Sequence, residues 1–269
     1  MNISAVVLTR NEVKNIKKCL DSLDFCEEII IIDDFSTDKT TEIIQNLKSK
    51  VKIYSRKLGG DFAAQRNFGL SKAKSDWILF LDADEEITPE LKKEIANNIK
   101  SENSTEAFFL KRRDYFWGRE LRHGELAKVT SKGLIRLVKK DSGKWMGNVH
   151  EVFHTARNCK TLNGHINHYP HPTLSEFIKD INKYSTLRAH ELQRRGYETN
   201  LFKIVFMPII KFIFNYFIML GFLDGAAGFT YSFMMSFHSF LVRSKLYQLN
   251  YLGHPESSEG SSDEGSANN

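Results

Sequence analysis

Residues 79–84 read Leu79-Phe80-Leu81-Asp82-Ala83-Asp84. An apolar run beginning at Trp77 has the composition of a buried strand, and it stops abruptly at two carboxylates spaced i and i+2. In extended backbone alternate side chains share a face, so Asp82 and Asp84 are expected to point the same way at the strand's end. Open α/β sheets bind their ligands beyond the carboxyl ends of the strands. A pair of carboxylates there is a hard-oxygen site for Mg²⁺ or Mn²⁺, which can in turn hold a diphosphate. Solvated acids at a strand end are the plainer alternative, and the flanking sequence decides between the two.

Upstream, short apolar strands alternate with helical periods. Strands are expected over 3–8, 28–32, 51–54 and 77–81, and helices over 12–23, 38–47, 62–73 and 89–99. The last of these has Pro89 at its first turn. This alternation predicts an α/β fold, a mostly parallel sheet with helices on both faces. Thr9 and Arg10, Asp33 and Asp34, and Asp82 and Asp84 all follow apolar strands, so polar groups gather along one sheet edge. Residues 106–170 alternate differently and carry Gly118, Gly124, Gly143 and Gly147. They predict an added, partly antiparallel region closing over the crevice.

Beyond it, Thr173 and Glu176 fit a capping box for a helix running to about Gly196, with Leu174, Phe177, Ile178, Ile181, Tyr184 and Leu187 as its apolar face. Residues 201–223 and 229–242 are strongly apolar, but Lys203, Pro208, Lys211 and Asn215 interrupt the first of them. A bilayer span needs about 20 residues nearly free of charge. Two helices joined at Asp224-Gly225 and lying in the membrane interface fit better. Lys203, Lys211, Arg243 and Lys245 favour an anionic lipid surface; a hairpin packed on the core, or on a second copy in a homo-oligomer, is the alternative.

The expected organisation is an α/β unit over 1–170, a helical region over 171–252 and an acidic tail over 253–269. That tail is too polar to bury apolar area and is expected to be disordered. In 269 residues, 41% apolar and 26% charged, there is material for one substantial core. Cys19, Cys26 and Cys159 make an odd number in no metal-ligand spacing, so a disulfide framework is not expected. No export signal is legible near the amino terminus, which gives a cytoplasmic expectation. The formal charge of +5 includes the acidic tail, so the rest of the chain is more basic still. That balance suits anionic partners, but no nucleic-acid motif accompanies it and none is expected as a partner. A nucleotidyltransferase is disfavoured because no Gly-rich amino-terminal loop is present to bind a triphosphate.

Four motifs in order resemble the inverting family 2 glycosyltransferases of the GT-A nucleotide-sugar fold. They are Ala5-Val6-Val7-Leu8-Thr9-Arg10-Asn11-Glu12, Ile32-Asp33-Asp34-Phe35-Ser36-Thr37-Asp38, Gln65-Arg66-Asn67-Phe68-Gly69 and Leu81-Asp82-Ala83-Asp84-Glu85. Val149-His150-Glu151, His168-Tyr169 and Gly221-Phe222-Leu223-Asp224-Gly225 are similar to the lipopolysaccharide inner-core β-glucosyltransferases.

The resemblance implies that Thr9, Glu12 and Asp34 hold uridine and ribose, that Arg66 supports the nucleotide or its diphosphate, and that Asp82 lies toward the ribose or donor sugar. Asp84 would hold a divalent metal, Mn²⁺ or Mg²⁺, with His168 joining from the carboxyl-terminal side, although His165 and His171 compete for that place. Glu151 would be the base that deprotonates the acceptor, with Glu85 a weaker rival. Arg136 and Trp145 would contact donor diphosphate and acceptor sugar. The implied reaction moves one hexose, glucose from UDP-glucose, to a lipid-linked glycan such as lipopolysaccharide core at the cytoplasmic membrane face. A protein side chain or polyprenyl phosphate as acceptor, or a non-catalytic sugar-nucleotide binder, are the alternatives. Gln193-Arg194-Arg195-Gly196 departs from the Gln-x-x-Arg-Trp motif of processive synthases, which implies single-sugar transfer.

Overall fold

A computed structural model describes residues 2–46, 50–100, 104–147, 151–155, 158–170 and 173–251. His150, His171 and the tail expected to be disordered lie outside the described residues.

The first hundred residues fold as their periodicity dictates: β1 (Ile3–Thr9), α1 (Ile16–Ser22), β2 (Glu28–Asp33), α2 (Thr40–Gln45), β3 (Val51–Ser55), α3 (Phe62–Lys72), β4 (Trp77–Asp82), β5 (Glu85–Ile87) and α4 (Pro89–Lys100). Then come β6 (Ala107–Phe116), β7 (Arg119–Leu121), α5 (Ala127–Ser131), β8 (Leu134–Lys139), β9 (Gly143–Met146), β10 (Val152–Thr155) and β11 (Cys159–His168). The main sheet runs β3-β2-β1-β4-β8-β6-β11-β5, with β7 paired to β6. Strands β1 to β4 are mutually parallel; β8 joins β4 antiparallel, and β6 follows antiparallel to β8. The α/β expectation is met, as is the partly antiparallel extension. β9 and β10 form a separate two-stranded ribbon.

Alternation splits the core between the two sheet faces. Ile3, Ala5, Val7, Ile29, Ile31, Leu79 and Leu81 pack with Ile16, Leu20, Leu91 and Ile95. Val6, Ile30, Ile32, Ile78 and Phe80 face the other way, toward Ala63, Trp145 and Phe153. Helix α3 sits close on that second face: a Cβ at Gly69 would lie 2.3 Å from Val6 Cγ1, so only glycine fits.

Register levels the strand tips. Thr9 pairs with Asp33 and Leu8 with Asp82. β4 ends at Asp82, and Ala83-Asp84 is a tight turn into β5, so the two acids are not alternate residues of one strand. This corrects the extended i, i+2 reading, because Asp84 is aimed by the turn and not by the pleat. On the far side, His168 of β11 pairs with both Glu85 of β5 and Asp114 of β6, bringing three polar residues into one row across three strands.

Helix α6 (Leu174–Arg194) opens with the expected capping box of Thr173 and Glu176. Its buried stripe is Phe177, Ile181, Ser185 and Ala189, while Leu174 and Ile178 are exposed. The small residues are selected by α8 (Gly225–Tyr251), which packs along α6 and α7 (Leu201–Ile213). Helix α7 runs on through a wide turn at Phe214–Ile218, and Asp224 closes the connection. Asp224 is buried and accepts from the backbone N–H of Arg122 and His123 and from His123 Nδ1. The connection is thereby fastened to the loop after β7. By length and composition the segment Leu201–Ile218 is long and apolar enough to cross a membrane (mean hydropathy 1.8). Only 11% of it is buried in the chain.

Candidate active site

Asp82 is the centre of an alternating chain of charges. Its carboxylate accepts from Arg66 Nη2 at 2.9 and 3.2 Å and from Arg136 Nη2 at 2.8 Å. Burial opposes its ionisation, but the two guanidinium groups prevail and hold it well below the usual carboxylate range. Arg66 also donates from Nε to Glu151 Oε1 at 2.8 Å, and Arg136 to Glu85 Oε1 at 3.0 Å. Helix α3, the end of β4, β8 and the start of β10 thus converge on one point.

Beside it lies a second group. Asp84 Oδ2 is 3.2 Å from His168 Nε2, whose Nδ1 is 2.5 Å from Asp114 Oδ1. Burial and Arg112 push the His168 imidazole down, yet Asp84 and Asp114 outweigh them and raise it to about 9. Asp84 is lowered despite burial, chiefly by the His168 charge. His165 stands elsewhere, with burial and the charges of Arg113 and Lys111 lowering its pKa. Of the two described candidates, His165 and His168, His168 is the one at Asp84.

At the tips of β1 and β2, Asp34 accepts from Arg10 Nη1 and from the Leu58 N–H, while its own N–H donates to Thr9 O. Thr9 Oγ1 is buried without a partner among the described residues. Asn11 and Phe35, just past these tips, have φ of 57° and 52°. Such left-handed backbone in residues other than glycine concentrates at functional turns. Glu12 hangs over the acid group: burial and then the Asp84 charge raise it to about 7.

Asp82, Arg66, Arg136, Glu85 and Glu151 therefore form one cluster and Asp84 and His168 a second, joined to it through Arg112, while Thr9 and Asp34 stand apart at the tips of β1 and β2. Glu85 is not a free base: it is fully buried, and its oxygens accept from the Asp82 N–H, Arg136 and Arg112. Trp145 is not an open sugar platform either, because its ring is buried between Phe80 and Phe153 with the Arg66 guanidinium 5.0 Å from its centre. Arg112 and Asp114 are additions the sequence reading did not make. A groove of about 780 Å³ runs along α3 beside Asn67, Leu70 and Ser71, and no acid of the site lines it.

Among the described residues no three His, Cys, Asp or Glu side chains form a metal site by themselves. The Asp84 carboxylate is a hard-oxygen donor that could hold a divalent cation, and His168 could join it only after giving up the proton that it shares between Asp84 and Asp114. Arg66 Nη1 and Arg136 Nη1, buried and unpartnered among the described residues, add unused donors next to Asp82.

The chain is 27% identical over 253 residues to the lipopolysaccharide core biosynthesis glycosyltransferase LpsC of Rhizobium meliloti, covering 91% of this chain and 92% of that protein. It is 29% identical over 255 residues to an uncharacterized glycosyltransferase of Rickettsia felis, covering 91% and 89%. The structure of S. aureus TarS 1-349 in complex with UDP-GlcNAc superposes with a TM-score of 0.49 at 16% identity, covering 93% of this chain and 92% of that one. The profile of Glycosyl transferase family 2 matches residues 4–157, more than half of the chain, and to that family the chain belongs.

Proposed function

We propose that this chain is a metal-dependent inverting hexosyltransferase that moves one glucose from UDP-glucose to a lipid-linked glycan, with lipopolysaccharide core as the acceptor. The observation that carries this reading is the bridge from Glu151 through Arg66 to Asp82, which sets a carboxylate opposite the acidic strand tip. The likeness to LpsC along nearly the whole chain supports the acceptor class.

In this mechanism Thr9, Glu12 and Asp34 accept from the uracil and ribose, groups whose N–H and O–H need acceptors and not cations. Asp82 stays ionised beside the ribose or donor sugar. Glu151 has Oε1 occupied by Arg66 and Oε2 without a partner among the described residues, so Oε2 takes the proton of the acceptor hydroxyl. The acceptor oxygen forms its bond to the anomeric carbon as the bond to the β-phosphate oxygen breaks. Attack from the face opposite the departing UDP inverts the centre through an oxocarbenium-like state. Asp84 and His168 would hold a divalent cation, which neutralises charge developing on the leaving diphosphate. The spare Nη1 donors of Arg66 and Arg136 serve the same end.

Residues 1–170 would form the catalytic unit, and the exposed apolar face of α7 and α8 would seat it peripherally on the cytoplasmic side of the membrane. Of the four cations named for that surface, Lys211 is paired with Glu125, whereas among the described residues Lys245, Arg243 and Lys203 donate only to neutral oxygens and keep their charge.

The test supplies radiolabelled UDP-glucose with Mn²⁺ and, in parallel, core-truncated lipopolysaccharide, polyprenyl phosphate and peptide acceptors. Label in lipopolysaccharide supports the proposal; label in another acceptor reassigns it. Failure to release UDP with any acceptor, with UDP-, GDP- and CMP-sugars screened by thermal shift, overturns catalysis.

A further inference from the structure

Gln65, Arg66 and Asn67 are consecutive on α3 and reach three different parts of the molecule. Gln65 accepts from Arg56 Nη1 at 2.6 Å and donates to Arg56 O at 2.7 Å, fastening the helix to the exit of β3. Arg66 reaches Asp82 and Glu151. Asn67 does something different: its Nδ2 donates to Trp145 O at 2.9 Å, and its Oδ1 accepts from Trp145 N at 2.9 Å.

Among the described residues the β9–β10 ribbon makes no ladder to the main sheet. Its register sets Trp145 opposite Phe153, and both rings are buried against Phe80 and the α3 side of the core. Ring packing of that kind is strong but has no fixed position along the surface, since apolar contact is non-directional. Both main-chain groups of Trp145 are turned to Asn67 and away from Phe153, so the side-chain amide stands where the next strand of a ladder would. A carboxamide carries its donor and its acceptor on two separate atoms, which matches a main-chain N–H and C=O side by side. Together with the Arg66–Glu151 ion pair, it gives the ribbon its directional hold along α3, and it is the part of that hold that acts on the ribbon's main chain.

Glu151 immediately precedes β10. Val152 pairs with Met146, the neighbour of Trp145, so any slide of the ribbon at Trp145 carries Glu151 with it. We infer that Asn67 is a positioning residue for transfer: by clamping Trp145 it sets where the Glu151 carboxylate stands relative to Asp82 and the acceptor. This rests on Glu151 being the base.

A misplacement of about 1 Å at a reacting group costs on the order of 100-fold in rate. UDP release from UDP-glucose is measured with core-truncated lipopolysaccharide and with water alone, for the full chain and for Asn67→Ala, Glu151→Gln and the double variant. Asn67→Ala is expected to lower kcat by roughly 10- to 100-fold with KM for UDP-glucose unchanged, and to add no further loss on the Glu151→Gln background. Hydrogen exchange in residues 143–155 should rise in Asn67→Ala and stay unchanged in β1 and β4. Asn67→Gln keeps both polar groups one methylene further out, so it shifts the ribbon and lowers kcat without lowering the unfolding midpoint. Wild-type kcat in Asn67→Ala, unchanged exchange in the ribbon, or a full second loss on top of Glu151→Gln overturns the clamp. Wild-type turnover in Glu151→Gln removes the base reading itself, whatever the Asn67 variants do, and the inference falls with it.

Discussion

Glu151 and Asp82 are held apart and in register by a single guanidinium, Arg66, which spans them with Nε at 2.8 Å from one and Nη2 at 2.9 Å from the other. Lysine carries the same charge on one nitrogen and cannot span both. Arg66→Lys is therefore expected to cut transfer by about 100-fold or more and to weaken UDP-glucose binding. Glu151→Gln should leave binding near wild type and cut transfer by roughly 10²- to 10⁴-fold. Calorimetric titration with UDP-glucose beside single-turnover kinetics separates the two; equal losses in binding for both variants would contradict the assignment.

Metal dependence divides between two residues. Asp84→Ala and His168→Ala should each lower Mn²⁺ affinity, measured by the paramagnetic signal of free Mn²⁺ in the presence of UDP, by at least about tenfold. EDTA should stop turnover of the unaltered chain and added Mn²⁺ restore it. Asp114→Asn should do less than either, because it keeps an acceptor for the His168 ring and loses only its charge. Unchanged Mn²⁺ binding in Asp84→Ala would place the cation elsewhere.

Glu12 makes the free protein weaker as pH rises. Its carboxyl is raised from 4.5 to about 7 by burial and the neighbouring Asp84 charge. Between those values the folded state binds the extra proton, so stability falls as pH climbs through the interval and the loss is complete above about 7. A shift of that size corresponds to up to about 3 kcal/mol. Glu12→Gln should raise unfolding free energy at pH 8 and much less at pH 5, while weakening UDP binding. Equal stabilisation at both pH values in urea titrations would show that Glu12 is not ionising in the folded state.

Leu201, Phe202, Ile209 and Ile210 are at least half exposed on α7. Replacing all four with Ser should leave the unfolding midpoint nearly unchanged and abolish sedimentation with liposomes. Since of the four nearby cations only Lys211 is paired with a carboxylate, binding of the native chain to anionic liposomes should weaken between low and high salt. Native sedimentation unchanged by salt would remove the electrostatic reading. A native oligomer that dissociates on the same substitutions would assign the face to a second copy.

The parallel half of the fold was legible because its strands are buried on both faces and its helices have a clear period, from Ile3 to Lys100. The acids at its tips followed from that alone. What lay hidden depends on pairing across long separations. Asp114 stands in Lys111-Arg112-Arg113-Asp114, which reads as a solvated charged run. A finer signal was present: Phe108, Leu110, Asp114 and Phe116 are alternate residues of one buried face, with Arg112 among them. Charges on a buried face need partners, and those partners are Glu85 and His168, brought in by β5 and β11. The exposed Leu174 and Ile178 misled for the opposite reason, since helical period marks an apolar stripe but not which neighbour will approach closely enough to prefer Ser185 and Ala189.

The trio on α3 carries a consequence for how such a chain can change over time. Each step along a helix turns the side chain by about 100°, so one residue gained or lost ahead of Gln65 would swing all three grips off their targets together. Point replacements there degrade one function at a time; a shift of reading by a single position would disconnect the edge of the sheet, the acid bridge and the ribbon in one event. Length between Arg56 and Gln65 is thus as strictly set as identity, and lineages descending from this chain should tolerate insertions almost anywhere sooner than in those eight intervening residues.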